Sequence, residues 1–229
     1  MIVEARGVRK IYDTRGVETL ALDGVDLDIE EGEFSALAGP SGSGKTTLLN
    51  LLGGLDVPTA GTVELDGQEL GALSAAALAS LRLHKLGFVF QAYNLIPVFT
   101  ARENVEFVMQ LQGVPAAERR RRAVEILAEV GLAGLEEKRP LEMSGGQQQR
   151  VAVGRAVASR PRLVLADEPT ANLDSETARK LIEMMEALNR EHHITFLFST
   201  HDPLVMEAAR RVVRLRDGRV TGDERKSVA

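Results

Sequence analysis

The sequence predicts an α/β fold, a mostly parallel sheet entered through antiparallel strands and split along the chain by a helical insertion. Three features predict it. The apolar segment "FSALA" at 34–38 runs straight into a glycine-rich loop and then into the helical "TTLLNLLGGL", as a buried parallel strand followed by its crossover helix does. From about residue 92 to 160 the apolar residues recur at three- and four-residue spacing. After Pro161 strands and helices alternate again.

The elements follow in order. "IVEARGV" reads as a strand, and in "TLALDGVDLDIEEGEFSALAG" the residues Val25, Leu27 and Ile29 alternate with acids before a turn at Glu31–Gly32, the pattern of a half-buried antiparallel edge. In the insertion, "TARENVEFVMQLQGV" and "AAERRRRAVEILAEVGL" are amphipathic helices, each closed by a glycine. Beyond Pro161 come the strand of "LVLADEP", the helix "SETARKLIEMMEALNREH", the strand "ITFLFST", a helix from Pro203 and a hairpin turning at Asp217–Gly218. The divisions are 1–91 for the antiparallel strands and the first part of the core, 92–160 for the helical insertion, and 161–229 for the remainder of the core.

Composition narrows the function. At 229 residues and 44% hydrophobic, the chain is one large domain or a domain with an inserted subdomain. Its net charge of -5 gives no overall basic field, so nucleic acid is not expected as a partner. Without cysteine there is no disulfide framework and no cysteine-based metal site. No apolar run approaches the roughly 18 to 20 residues that span a bilayer. The start, "MIVEARGVRKIY", lacks the apolar stretch of a secretory signal, and a cytosolic location is expected.

The chemistry begins at "GPSGSGKTT", Gly39–Thr47, where Gly39, Gly44, Lys45 and Thr46 satisfy G-x-x-x-x-G-K-[ST]. Along Gly39, Pro40, Ser41, Gly42, Ser43 and Gly44 the backbone N–H groups, which Pro40 alone lacks, are free to converge on phosphate oxygens, helped by the dipole of the following helix. Lys45 reaches the outer phosphates, the Thr46 hydroxyl is a Mg2+ ligand, and Thr47 adds a hydroxyl near the inner phosphate. "LVLADEP" ends in Asp167, placed to orient the metal, and Glu168, placed to polarise an attacking water; without the loop the same pair would read as a helix cap.

His201 follows "FLFST" off the same sheet edge, where a neutral imidazole can hydrogen-bond a terminal phosphate. Gln91 ends "LGFVF" at the entrance to the insertion, with reach to Mg2+ or to the water. Tyr12, one of two tyrosines, is a candidate to stack on an adenine, with packing against the sheet as the alternative. His84, His192 and His193 receive no role. "ERRRR" at Glu118–Arg122 reads as a solvated helix face rather than a nucleic-acid patch.

A second glycine-rich element, "MSGGQQQR" at 143–150, raises the question of oligomeric state. Ser144, Gly145 and Gly146 precede a helix from about Gln147, a second N–H-rich anion site that sits on the insertion rather than beside Lys45. One nucleotide needs one cradle. If both loops bind one γ-phosphate, the second comes from another copy, and a head-to-tail two-fold dimer places each ATP between one chain's Lys45 and the other's Ser144.

The phosphate loop, Gln91, "MSGGQ" at Met143–Gln147, "LVLADEP" at Leu163–Pro169, "ANLD" at Ala171–Asp174 and His201, in this order, resemble the ATP-binding cassette (ABC) ATPases over nearly the whole chain. The resemblance implies a P-loop NTPase with a RecA-like core, an antiparallel β subdomain and an inserted α-helical subdomain. It implies ATP and Mg2+ as cofactors, ATP hydrolysis, nucleotide contacts from Ser144, Gly145, Gly146 and Gln147, and a homodimer with Asp174 near its seam. It further implies two integral membrane permease subunits, with a periplasmic adaptor reached through them, and a peripheral position on the cytoplasmic face of the membrane.

"GFVFQAYNLIPVFTARENVEF", "SGGQQQRVAVGRA" and "LADEPTANLDS" are most similar to the macrolide-export and lipoprotein-release group. The alternative is the cell-division ATPase of the same clade, which would regulate a membrane partner without moving a substrate. A cassette acting on DNA or ribosomes would carry tandem cassettes, coiled-coil insertions or a basic face, which this sequence lacks. Two departures from the family pattern are Met143, where leucine is usual, and Gly154, where alanine is common, at about 1 kcal/mol of helix propensity if exposed. Glu168 is intact, so turnover is expected. The membrane partner would dock near 91–108, where Tyr93, Leu95, Pro97 and Phe99 are either exposed apolar contacts or core.

Overall fold

The computed structural model describes residues 1–14 and 16–226. Strands β1 (Val3–Thr14), β2 (Val17–Ile29), β4 (Ala60–Leu65) and the short β5 (Gln68–Glu69) form an antiparallel sheet in the order β2-β1-β4-β5. The second sheet has the order β10-β9-β3-β8-β7-β6, built from β3 (Phe34–Ala38), β6 (Leu86–Val89), β7 (Leu163–Asp167), β8 (Thr195–Thr200), β9 (Arg211–Arg216) and β10 (Arg219–Arg225). All its pairings are parallel except the closing β9–β10 hairpin, which turns at Asp217–Gly218 as the sequence predicts.

Alternation along β3 sorts the core into two layers. Phe34, Ala36 and Ala38 point to one face, with Phe196, Phe198, Val164 and Ala166, where the helices pack. Leu37, with Leu163, Leu165, Leu197 and Val213, points to the other face and meets Leu48, Leu49, Leu51 and Leu52 of α1 (Lys45–Leu52) and the antiparallel sheet. Burial on both faces explains why these strands lack the polar alternation of β2. A helix that the sequence reading leaves unassigned, α2 (Ala75–Lys85), is capped by Ser74. It buries only Leu81, so its apolar stripe is too narrow to stand out as a period.

Between β6 and β7 lie α3 (Ala101–Leu111), α4 (Ala116–Glu129) and α5 (Gly145–Ala158). Thr100 and Glu103 form a reciprocal capping box at the start of α3, and Ser144 and Gln147 form another at the start of α5. Then α6 (Ser175–His192), capped by Asp174, and α7 (Pro203–Ala208), capped by Asp202, cover the helical face of the sheet.

One expectation changes and two open readings close. The "ERRRR" run is not uniformly solvated: Arg121 is exposed and pairs with Glu125 at 2.7 Å, but Arg119 and Arg122 turn inward, to Glu106 and to the Ala158 carbonyl. Helical periodicity puts residues three apart on one face, so four consecutive arginines cannot all face water. Gly154 is buried rather than exposed, and an added Cβ would meet Ile126 Cγ2 at 3.2 Å and Val105 Cγ2 at 3.5 Å. Of the four apolar residues after Gln91, only Pro97 is exposed; Leu95 packs on the helical core and Phe99 lies edge-on to Phe107, while the neighbouring Val98 is 69% exposed. Met143 sits in the helical core, a place its unbranched side chain fills as well as leucine would.

Candidate functional site

Four adjacent parallel strands, β3, β8, β7 and β6, end at one edge of the sheet, where α/β folds bind ligands. Ala38 is in register with Thr200, Asp167 with Ser199, and Val89 with Ala166. Gly39, His201, Asp167–Glu168 and Gln91 therefore leave the sheet side by side. Parallel register alone brings these residues together from positions far apart in the chain.

The loop after β3 needs its glycines. Gly42 and Gly44 have φ of 80° and 99°, in the left-handed region that only glycine enters freely. A Cβ on Gly39 would lie 2.1 Å from the Leu215 carbonyl, and one on Gly44 2.6 Å from that of Ala21. Inside the loop Lys45 is 6% exposed; its ammonium donates to the carbonyls of Gly39 (2.7 Å) and Pro40 (3.0 Å) and lies 3.8 Å from Glu168. Ser43 Oγ is buried with no hydrogen-bond partner. An orphan hydroxyl and a buried cation, in a loop whose tight packing and positive φ require glycine, fit a phosphate group.

Thr46, exposed at the start of α1, donates its hydroxyl to Asp167 at 3.1 Å. Among the described residues no group of three His, Cys, Asp or Glu is placed to cage a metal. The hydroxyl and carboxylate together suit Mg2+, which takes one or two protein oxygens and fills its remaining positions with phosphate and water. Tyr12 reaches the loop from the other sheet. Its hydroxyl donates to Asp56 at 2.9 Å and lies within reach of Thr47, and burial followed by the Asp56 contact raises its pKa.

Glu168 adopts φ 46° with its N–H bonded to the Ser199 carbonyl at 2.9 Å, a strained backbone held by the neighbouring strand. Its carboxylate receives His201 Nδ1 at 2.8 Å. A neutral imidazole has one N–H, and here it is spent on Glu168. Donating from Nε2 to a phosphate at the same time would take the imidazolium, so the expectation of a neutral phosphate donor holds only if His201 releases Glu168.

The second glycine-rich loop stands apart. Among the described residues no hydrogen bond joins 143–148 to 39–47. Ser144 and Gln147 engage each other, Ser144 N to Gln147 Oε1 at 2.9 Å and Gln147 N to Ser144 Oγ at 3.3 Å, so the Gln147 side chain already has a partner. Gly145 and Gly146 pack against Tyr93 and Thr177, with added Cβ atoms 2.8 Å from Tyr93 Oη and 2.5 Å from Thr177 Cγ2. Asp174 caps α6 through the N–H groups of Glu176 and Thr177 and accepts the Thr177 hydroxyl at 2.6 Å; that hydroxyl and those N–H groups lower its pKa.

Sequence reading missed the groups that fasten these parts. Buried Gln149 donates to the Pro169 carbonyl at 2.8 Å, Asn172 to the Gln91 carbonyl at 3.0 Å, and Arg155 to the carbonyls of Tyr93 and Asn94. Each bonds backbone, which carries no residue-type signal.

The family model described as ABC transporter matches residues 22–171. The chain is 49% identical over 223 residues to the lipoprotein-releasing system ATP-binding protein LolD 1 of Rhodopseudomonas palustris, covering 96% of this chain and 99% of that one. To the macrolide export ATP-binding/permease protein MacB of Brucella melitensis it is 44% identical over 98% of its length, which is 35% of that longer protein. It superposes with a TM-score of 0.92, at 42% identity over 99% of this chain and 100% of the other, on the dimeric post-hydrolysis structure of the ATP-binding cassette MJ0796 bound to ADP and Pi.

Proposed function

We propose that this chain, which belongs to the ABC transporter family and is an ATPase, works as a head-to-tail homodimer that closes around two ATP and reopens on hydrolysis. The observation that supports this most is that the two glycine-rich loops do not meet: among the described residues no hydrogen bond joins 143–148 to 39–47, and Gly145 packs on Tyr93 and Gly146 on Thr177. A second copy supplies the missing half of each site.

Lys45 and the N–H groups of 39–47 hold the outer phosphates, Tyr12 faces the adenine, and the partner copy's second loop caps the γ-phosphate. Mg2+, when bound by Thr46 and Asp167 with Gln91 nearby, neutralises charge on the outer phosphates. Glu168 accepts a proton from a water that attacks the γ-phosphorus in line, as the bond to the β–γ bridging oxygen breaks; His201 holds the Glu168 carboxylate in place. Asp174, beside the second loop, lies at the seam. On this reading residues 1–91 and 161–229 form the ATP-binding body and 92–160 the body that moves.

The membrane partner is drawn from the family and from one surface. No helix among the described residues is long and apolar enough to cross a membrane. A groove of about 370 Å3, lined by Leu55, Leu83, Phe88, Phe90 and Val108 with Arg82 and Arg155 among them, opens between α2, β6, α3 and α5. With Pro97 and Val98 exposed after Gln91, it offers an apolar seat for a helix of an integral permease. The relatives' names favour export or lipoprotein release as the work done. The Glu168→Gln variant should bind ATP, elute as a dimer only with ATP, and lose about 100- to 10,000-fold in kcat. A native chain whose hydrolysis stays linear in enzyme concentration far below dimerisation refutes the two-chain site.

A further inference from the structure

The backbone around Gln91 is gripped by groups outside the recognised motifs. Arg155 on α5 donates to the Tyr93 carbonyl at 2.9 Å and to that of Asn94. Asn172 donates to the Gln91 carbonyl at 3.0 Å. Tyr93 and Asn94 both have left-handed backbones, φ 60° and 50°, a conformation that asparagine tolerates but that a tyrosine keeps only where its surroundings enforce it.

Arg155 is half-buried, and among the described residues no carboxylate lies within ion-pair distance of it. Burial also holds its pKa below the usual value. A guanidinium with five donors in a fixed fork, spent on two consecutive carbonyls, is a clamp rather than a solubilising charge. The same turn touches the other end of α5, because Tyr93 Oη lies where a Cβ on Gly145 would sit, 2.8 Å away. Arg155 is ten residues beyond Gly145 in one helix, about 15 Å at 1.5 Å per residue. Tyr93 thus meets α5 at two places, bonded through its carbonyl to Arg155 and packed through its ring tip against Gly145.

We propose that Arg155 is a positioning residue that locks the Gln91 turn to the helix carrying Ser144–Gly146, so that each chain's Gln91 is set by the ATP its own second loop engages. This rests on the two-chain site. The helix is stiff and the clamp has two points, so a shift of α5 when Ser144–Gly146 meet the partner's nucleotide moves Gln91 beside Thr46 and Asp167 of the chain's own site. Two sites biased by one rigid element are coupled reciprocally.

The test is ATP hydrolysis against ATP concentration in the full-length native chain and in Arg155→Met, which keeps the apolar stem without its donors. The native enzyme should show a Hill coefficient above 1. In Arg155→Met kcat should fall about 10- to 100-fold, as displaced catalytic groups do, and the Hill coefficient should fall to the lower value that dimer closure on two ATP gives by itself. ATP affinity of the dilute monomer, set by the loop at Lys45, should not change. Arg155→Lys should recover part of both losses. Asn172→Ala, on an exposed residue, should lower kcat and Hill coefficient together, and it carries the test if Arg155→Met does not fold.

Native kcat and cooperativity in the variants overturn the proposal, and so does a loss of kcat with the Hill coefficient retained or with monomer ATP affinity weakened in proportion. A native chain with a Hill coefficient of 1 and hydrolysis linear in enzyme concentration overturns the two-chain site instead.

Discussion

Gly146→Ala puts the geometry of the second loop under direct strain. The added Cβ would stand 2.5 Å from Thr177 Cγ2, and ordinary van der Waals contact begins at 3.4 Å, a shortfall of 0.9 Å. Two responses are open. Rotating Thr177 breaks its hydroxyl bond to Asp174, 2.6 Å long, and disturbs the cap of α6. Otherwise the start of α5 moves away from α6 by nearly an ångström and carries the N–H groups of Ser144–Gly146 with it. Alanine is about 1 kcal/mol better than glycine inside a helix, which offsets much of the strain, so the melting temperature should stay close to native. An ångström of misplacement at a group that meets the transition state costs about 10- to 100-fold in rate. Steady-state phosphate release should therefore fall by that factor, while ATP binding to the dilute chain, which on the proposed reading rests on 39–47 and Tyr12, stays native. A variant with native kcat, or one that loses ATP affinity as fast as it loses kcat, refutes the assignment of Gly146 to a site completed by a second copy.

Two further outcomes follow from the same packing. Gly154→Ala should raise stability by about 0.5–1 kcal/mol, as the helix gains alanine, and raise the melting temperature by about 1–4 °C for a chain of this size. The new methyl needs Ile126 to yield a few tenths of an ångström, and Ile126 can do so because it lines an open surface cavity of about 330 Å3; a lower melting temperature would show that it does not. Tyr12→Ala should weaken ATP binding about 5-fold or more, the loss of one base–aromatic stack, measured with a fluorescent ATP analogue. Tyr12→Phe should leave it unchanged, since the hydroxyl is spent on Asp56; equal losses would mean that the hydroxyl, not the ring, does the work.

The phosphate loop was legible because everything it needs is contiguous: an apolar strand, glycines at the positive-φ positions 42 and 44, a lysine and the first turn of a helix. Asp167, Glu168 and His201 were legible for a related reason, because each ends an apolar strand and parallel strands deliver their ends to one edge. Helices α3 and α6 were legible from their apolar spacing and α5 from the run after Ser144–Gly146, whereas their caps Thr100, Ser144 and Asp174 emerged only in the structure.

What the chain's order alone determined was the family, the candidate residues of the site and the surplus loop at Ser144 on which the proposed second copy rests. Tertiary structure decided which arginines of "ERRRR" face inward, that Gly154 is packed rather than exposed, that the single N–H of a neutral His201 is spent on Glu168, and that Arg155 and Asn172 hold the Gln91 turn. The reason is physical. Their partners lie 61 or 62 residues from Arg155 and 81 from Asn172, and those partners are backbone carbonyls. Every residue carries such a carbonyl, so only the folded path of the chain selects the ones that are held.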